Sequence, residues 1–221
     1  MLCVLCPMVI TWYGQACFKL QSGATTMVVD PFEKKLGLNP PKFEAQLALI
    51  THEHFDHNNV KSIGGAPFVI DCPGEYEVGG VRVKGISSFH DDKEGAERGA
   101  NTIYVIKMED VLVAHLGDLG QKQLTEEQLD VLGEVDILMI PVGGTYTIDA
   151  ETAVEVTNQI GPRIVIPMHY KIPGLKVKLD PVTDFLKEIG QADVQPVEKL
   201  TIKQKDLPDV DDKMEVVVFK M

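Results

Sequence analysis

The stretch HEHFDH, residues 52–57, decides how this 221-residue chain is interpreted. It follows the apolar run 46–50 (QLALI), which we predict to be a strand that leads directly into the motif. Residues two positions apart in extended chain point the same way, so His52 and His54 can bind one metal ion. The motif therefore predicts a metal site at the end of a strand.

The second half of the motif extends this site. Asp56 and His57 come where the chain turns toward a predicted short helix, residues 58–63, so they can face a second ion close to the first. Imidazole nitrogens and carboxylate oxygens suit zinc, iron or manganese. We predict two divalent metal ions, with zinc preferred and manganese or iron as alternatives.

Other ligand-type side chains follow later predicted strands. Five of the six histidines then belong to the site, and ligands at strand ends on one rim of a sandwich converge. His115, the sixth histidine, ends a strand, and we interpret it as structural or as support for a ligand. The predicted strands and the residues that follow them are 81–86 and His90, 111–114 and Asp118, and 163–167 and His169.

The arrangement of predicted elements indicates an α/β (α+β) fold in one domain, residues 1–221. Strands dominate the first half, whereas helices alternate with strands in the second, which favours two sheets packed face to face with helices outside. The remaining predicted strands are 9–12, 17–21, 26–29, 68–70, 102–107, 136–140 and 215–219, and Gly79-Gly80 forms a hairpin turn. The predicted helices are 126–132, opened by a capping box of Thr125 and Gln128, 150–160, capped by Asp149, and a third from Pro181, capped by Asp180, to about 190.

Charge and composition restrict the class of partner. The 33 acidic and 21 basic residues give a formal net charge of −12, which argues against nucleic acid and favours a small-molecule substrate. The apolar N-terminus, residues 1–10, has no basic region ahead of it and is too short to span a bilayer, so we expect a cytoplasmic protein without a membrane partner. The CxxC pair Cys3 and Cys6 has no second pair to complete a zinc site.

The order of HxHxDH, a later His, a later Asp and a final His closely resembles the metallo-β-lactamase superfamily. The stretches WYGQACFKL (12–20), VVDPF (28–32), RGANTIYVI (98–106), AHLGDLG (114–120) and IPVGGTYTID (140–149) resemble the branch that includes ascorbate-6-phosphate lactonase and predicted zinc-dependent hydrolases. The resemblance implies a four-layer αββα sandwich. Relatives in this branch often carry His where Gln15 stands, so substrate class is not carried over at that position.

The resemblance also implies how the ligands are shared. It places His52, His54 and His90 on one metal, and Asp56, His57 and His169 on the other. Asp118 bridges the two ions. An Asp at this place is typical of hydroxyacylglutathione hydrolases, lactonases and tRNA-processing ribonucleases rather than of many antibiotic-cleaving enzymes.

These ligands predict a hydrolase. Two ions about 3.5–4 Å apart lower the pKa of a shared water from about 16 toward 7, which gives a metal-bridging hydroxide at neutral pH. Asp118 positions this hydroxide, and Asp56 is a second catalytic candidate that helps to move a proton. The substrate is an ester or lactone of a small metabolite, phosphorylated ones included. The alternatives are a phosphodiesterase or nuclease with the same ligands, and a non-enzymatic metal-stabilised module.

Substrate contacts have weaker signals. Tyr146, in the Gly-rich loop after a predicted strand, is a candidate donor to a developing oxyanion. Lys171 begins a basic run with Lys176 and Lys178 that offers a site for an anion, as Arg98 does, although the residues themselves favour a solvated charged loop over such a site. The sequence leaves the substrate, the metal and a homo-oligomeric state open.

Overall fold

The computed structural model describes residues 6–210 and 212–221, so Cys3 of the CxxC pair lies outside the described residues. Its first sheet has six strands. The N-terminal strands form an antiparallel meander, and the chain then adds two parallel strands at one edge. In sheet order, these strands are β12 Leu200–Ile202, β1 Met8–Trp12, β2 Phe18–Ser22, β3 Thr25–Val29, β4 Leu47–Leu49 and β5 Phe68–Ile70.

The second sheet has seven strands and is also mixed. Three consecutive neighbours, β9, β10 and β11, are parallel, while β8 runs antiparallel to both β7 and β9. The C-terminal ends of β7, β9, β10 and β11 therefore lie at one edge. In sheet order, the strands are β13 Glu215–Val216, β11 Ile164–Met168, β10 Ile137–Pro141, β9 Val111–His115, β8 Ala100–Met108, β7 Val81–Phe89 and β6 Gly74–Val78.

The α-helices of the described residues all come after β9 in the chain. They are α1 Glu126–Leu132, α2 Ala150–Ile160 and α3 Val182–Glu188, and α2 contacts β10 and both other helices. Thr125 and Gln128 form the predicted capping box at the start of α1, and the Asp149 side chain accepts from the backbone N–H of Thr152 at the start of α2. Within residues 6–210 and 212–221, no helix is long and apolar enough to cross a bilayer.

A shared core joins the sheets. Tyr104 of β8 is among the largest fully buried side chains, and its hydroxyl lies 2.8 Å from the carbonyl oxygen of Ile50 and 3.1 Å from that of Ile70. Burial raises the pKa of Tyr104, so the phenol stays protonated and donates to these carbonyl groups. This contact ties the second sheet to the strand ends of the first, next to the HxHxDH motif.

Three local predictions need correction. Pro181 is the N-cap residue of α3 rather than its first helical residue, and Asp180 does not cap the helix because its backbone instead pairs with Gly143 and Lys171. The predicted helix 58–63 is a short 3-10 helix, Val60–Ser62. The last strand is shorter than predicted, and β12 was missed because its alternation of apolar and polar residues extends over only three positions, which is too short for a strand signal.

Candidate metal centre

The HxHxDH motif leaves the first sheet at the end of β4. Because β3 and β4 are parallel, their C-terminal ends lie side by side, and the backbone N–H of Asp30 donates to Leu49 O at 3.0 Å. The next residues, from Thr51 onward, form a loop without regular structure before the 3-10 helix. This loop presents four ligand-type side chains to the space beyond the sheet edge.

The second sheet supplies the remaining side chains from one edge, as predicted. His90 directly follows β7, Asp118 comes three residues after β9, and His169 directly follows β11. All three side chains are buried. The parallel direction of these strands is therefore what brings residues far apart in sequence to the same rim.

The structure brings together all seven predicted ligands. Their candidate ligand atoms form three overlapping groups, each within 4.8 Å: His52 with His54 and His90, His52 with His57 and Asp118, and Asp56 with His57 and His169. We call the first the open cluster, since His54 is exposed, and the last the closed cluster. Their composition agrees with the two ligand sets that the resemblance implied.

Asp118 lies between these clusters. Its Oδ2 atom is 3.3 Å from His90 Nε2 and 3.9 Å from His52 Nε2 in the open cluster. The same oxygen is 3.2 Å from the Nε2 atoms of both His57 and His169 in the closed cluster. One carboxylate oxygen therefore lies within 4 Å of histidines from both clusters.

Several buried atoms of these side chains have no hydrogen-bond partner among the described residues, which fits the binding of a metal ion. Nε2 of His52, Nε2 of His57 and Oδ1 of Asp118 are buried and have no hydrogen-bond partner in the described part of the chain. Buried polar atoms without partners are costly, and here they point to a ligand that completes them. Nitrogen and carboxylate donors of this kind bind zinc, iron or manganese.

The charges within the site also shift the pKa values of the candidate ligands. Burial raises the pKa of Asp118, but His169 and His57 outweigh this effect and hold the pKa well below its usual value. Burial lowers the pKa of His57, whereas the Asp118 and Asp30 carboxylates raise it well above its usual value overall. A metal ion would take the place of the proton on His57 Nε2, because metal binding requires the deprotonated ligand atom.

Asp30 is the main feature that the sequence reasoning did not assign. It is fully buried, and its Oδ2 accepts from His57 Nδ1 at 2.9 Å and from Thr51 Oγ1 at 2.7 Å. Thr51 Oγ1 in turn lies 3.0 Å from His52 Nδ1. Asp30 thus orients His57 directly and His52 through a hydroxyl group, which leaves both Nε2 atoms free. The only sequence signal was an Asp at a strand end, in VVDPF.

Gln15 is also part of the centre. Its Nε2 donates to Asp56 Oδ2 at 2.9 Å, and its backbone oxygen accepts from Trp12 Nε1 at 3.0 Å and from the backbone N–H of His169 at 3.1 Å. Gln15 therefore contacts two members of the closed cluster, one by its side chain and one by its backbone.

His115 has the supporting geometry that we expected. It is fully buried, its Nδ1 accepts from Gly117 N at 3.1 Å, and its Nε2 therefore carries the proton that it donates to Ala16 O at 2.9 Å. Burial lowers the pKa of His115, which keeps the ring neutral. Gly117 has φ 57°, and a Cβ there would lie 2.3 Å from Asn101 Oδ1, so glycine allows the turn that leads to Asp118.

A cleft of about 330 Å³ opens onto both clusters. Tyr146 lines it, as the sequence suggested, whereas Lys171 is exposed and is absent from the described residues that line it. Exposed Phe55 and half-buried Val177 give the wall an apolar part. Arg98 lines the cleft as well. The volume matches a small molecule.

The segment between His90 and Arg98 is built around Asp91. The Asp91 carboxylate accepts from the backbone N–H groups of Lys93, Gly95, Glu97 and Arg98, at 2.7–3.0 Å. Burial raises the pKa of Asp91, but these four donors outweigh it and lower the pKa to about 2. The carboxylate is therefore ionised at neutral pH and holds the loop in one shape.

The comparisons with known proteins agree with this fold and site. The beta-lactamase superfamily domain matches residues 9–169. The UPF0173 metal-dependent hydrolase Ta0764 of Thermoplasma acidophilum is 31% identical to this chain, over 78% of the chain and 87% of the relative. A UPF0173 metal-dependent hydrolase of Methanoregula boonei is also 31% identical, over 85% of the chain and 98% of the relative.

A solved structure extends the similarity to the whole fold. A candidate Zn-dependent hydrolase of the metallo-β-lactamase superfamily from Thermotoga maritima superposes with a TM-score of 0.78 at 39% identity, covering 96% of this chain and 98% of that one. Fold and site together define a metal-dependent hydrolase. The chain belongs to the metallo-β-lactamase superfamily. The predicted α/β sandwich is confirmed, while the lactonase branch stays a prediction.

Proposed function

We propose that this protein is a dinuclear hydrolase that cleaves an ester or lactone bond in a small metabolite, phosphorylated ones included. The observation that carries the proposal is the position of Asp118 Oδ2, within 3.2–3.9 Å of histidines from both clusters. His52, His54 and His90 would hold one ion, and Asp56, His57 and His169 the other. Two ions so placed lower the pKa of a shared water and polarise a carbonyl oxygen.

The chain's own residues then have separate tasks. Hydrolysis joins a water oxygen to the acyl carbon and breaks the acyl carbon–oxygen bond, so a proton must pass from the water to the leaving oxygen. Asp56 is suited to moving this proton because it lines the cleft. Gln15 donates to its Oδ2 and leaves Oδ1 available to accept the proton. Asp118 holds the attacking oxygen in place, and Tyr146 donates to the oxyanion.

Three observations favour an ester or lactone over a polymeric phosphodiester. The cleft of about 330 Å³ has the size of a small-molecule site, part of its wall is apolar, and the chain carries a net charge of −12. A non-enzymatic module is opposed by the family relatives, which are named as hydrolases.

The experiment combines metal analysis of the purified protein with a panel of lactones, esters, thioesters and phosphodiesters. Asp118→Ala should lower any activity by more than the roughly 100-fold that loss of a residue supporting a metal ligand causes. The matched control is Glu53→Gln in the same loop. Glu53 is exposed, and within the described chain it accepts only from Asn58 Nδ2 and belongs to no ligand cluster, so this variant should keep its activity.

Two results would contradict the proposal. One is a metal-loaded protein whose Asp118→Ala variant is as active as the parent chain. The other is turnover confined to phosphodiesters, which would favour the nuclease alternative.

A further inference from the structure

Arg98 is the one lysine or arginine among the described residues that line the cleft. It also lines a neighbouring polar cavity of about 240 Å³, so its half-buried side chain stands between the two spaces. In a strongly acidic protein, an isolated cation beside the candidate metal centre marks a place where negative charge can be accepted.

The guanidinium of Arg98 is largely unused. The ion pairs among described residues give it no carboxylate partner. Its side-chain hydrogen bond is a long one, from Nη2 to Thr145 O at 3.4 Å, and its Cζ lies 6.0 Å from the centre of the Tyr146 ring. A guanidinium has five N–H donors in a fixed fork, so most of them remain for a ligand.

The backbone beneath Arg98 is fixed. Its N–H donates to the buried Asp91 carboxylate at 2.7 Å, and Asp91 directly follows the candidate ligand His90. The three other backbone donors to Asp91 hold the intervening loop. Because the arginine starts from an ordered loop tied to the metal centre, binding an anion there requires little further ordering of the chain.

The rest of the cleft limits what lies between the metal centre and Arg98. Phe55 and Val177 add apolar wall, whereas Asp56 and Asp118 lie among the candidate metal ligands. A ligand that fits all these features has a reactive carbonyl at the metals, a short apolar segment, and an anionic group at Arg98.

We propose that Arg98 binds an anionic group of the substrate, a carboxylate or a phosphate, through its free N–H fork beside the Tyr146 ring. This inference rests on the proposed hydrolase function and narrows its substrate class to acidic esters and lactones. Arg98 is a specificity residue here, since it contacts a part of the substrate remote from the bond that is cleaved.

The test uses metal-loaded full-length protein and calorimetric binding of succinate, glutarate and adipate, each compared with its monoamide. One carboxylate in every compound is available to the metals, so only the second reports on Arg98. We expect at least one diacid to bind about tenfold more tightly than its monoamide, and Arg98→Gln to reduce this ratio below twofold. The corresponding phosphonocarboxylates decide between a carboxylate and a phosphate site.

Controls separate this effect from general charge and from misfolding. Lys122→Gln removes a cation that lines the neighbouring cavity and pairs with Asp92, and it should keep the diacid preference. Metal content should be unchanged in Arg98→Gln, and Arg98→Lys should recover part of the preference. Lys171→Gln tests the other cation proposed from the sequence, and this variant should also keep the diacid preference.

The outcomes are distinct. The inference is wrong if no diacid is preferred by the parent protein, if Arg98→Gln keeps the preference, or if Lys171→Gln abolishes it. A protein that prefers diacids through Arg98 but cleaves no ester contradicts the proposed reaction and keeps the anion site. An active ester hydrolase that is indifferent to Arg98→Gln contradicts the anion site alone.

Discussion

The open and closed clusters share Asp118 but differ in how the protein holds their ligands. In the closed cluster, the buried Asp30 carboxylate contacts His57, and Gln15 contacts both Asp56 and the backbone of His169. In the open cluster, His52 reaches Asp30 only through Thr51, and His54 is exposed. The Nδ1 atoms of His90 and of His169 in the closed cluster both have no partner among the described residues, so they do not distinguish the clusters. The closed cluster therefore has more supporting contacts, whereas the open cluster contains the one exposed ligand, although both line the cleft.

With this difference, one site would bind metal tightly in the closed cluster and stay accessible to a substrate at the open cluster. Residues that orient a ligand raise metal affinity, and the closed cluster has more of them. His54 is exposed and lines the cleft, so a carbonyl substrate of the proposed kind would reach the open cluster from that side. We infer that the closed cluster holds its metal ion more tightly and that the substrate binds and leaves at the open cluster.

The largest effect that would sharpen this comparison is the loss of Asp30. Asp30→Ala leaves His57 Nδ1 and the Thr51 backbone N–H without their acceptor. We expect the free energy of unfolding to fall by about 3 kcal/mol and activity to fall by about 100-fold. Denaturant unfolding and metal analysis check this result.

Asp184→Ala is the matched control for this substitution. Asp184 is an exposed carboxylate in the first turn of α3, so its removal should change stability by less than about 1 kcal/mol. Equal effects of the two substitutions would break the argument that Asp30 anchors the closed cluster.

An intermediate effect is expected from stepwise metal removal. Because its ligands have fewer supporting contacts, the open cluster should release its ion at a chelator concentration about tenfold lower than the closed cluster. Metal analysis during dialysis should show a plateau at one ion per chain. His54→Asn should lower the starting content to one ion and remove the first step. Simultaneous loss of both ions would contradict the proposed difference.

The smallest effect concerns Gln15. Gln15→Ala removes one hydrogen bond to Asp56 Oδ2, and we expect kcat to fall by about three- to tenfold with both ions retained. Steady-state kinetics alongside metal analysis measure the two quantities. A loss of metal with an unchanged kcat per metal-loaded chain would mean that the Gln15 side chain acts only by orienting Asp56 as a ligand and has no part in proton transfer by Asp56.

The sequence predicted the residues of the clusters better than the contacts that hold them. His90, Asp118 and His169 follow apolar runs, and parallel strand ends collect such residues at one rim, so their positions together with the HxHxDH motif were sufficient to group them. Asp30 also stands at the end of a predicted strand, but the sequence did not show which residues it contacts. Its partners Thr51 and His57 lie 21 and 27 residues away, and only the β3–β4 register shows that they meet.

Local chemistry explains the other differences. The capping box of α1 and the Asp149 cap of α2 were predicted because their signals lie within a few residues. Asp180 carries a similar signal before α3, but tertiary pairing of its backbone with Gly143 and Lys171 overrides it. The hydrogen bonds around Asp91 involve a loop without a repeating pattern, and the sequence therefore did not indicate how Arg98 is positioned.

The most direct measurement is a crystal structure of the protein loaded with zinc, with anomalous diffraction at the metal edge. The proposed dinuclear centre predicts two ions, one bound by His52, His54 and His90 and the other by Asp56, His57 and His169, with the Asp118 carboxylate binding both. A single ion at full occupancy, or an Asp118 carboxylate that binds neither ion, would contradict it.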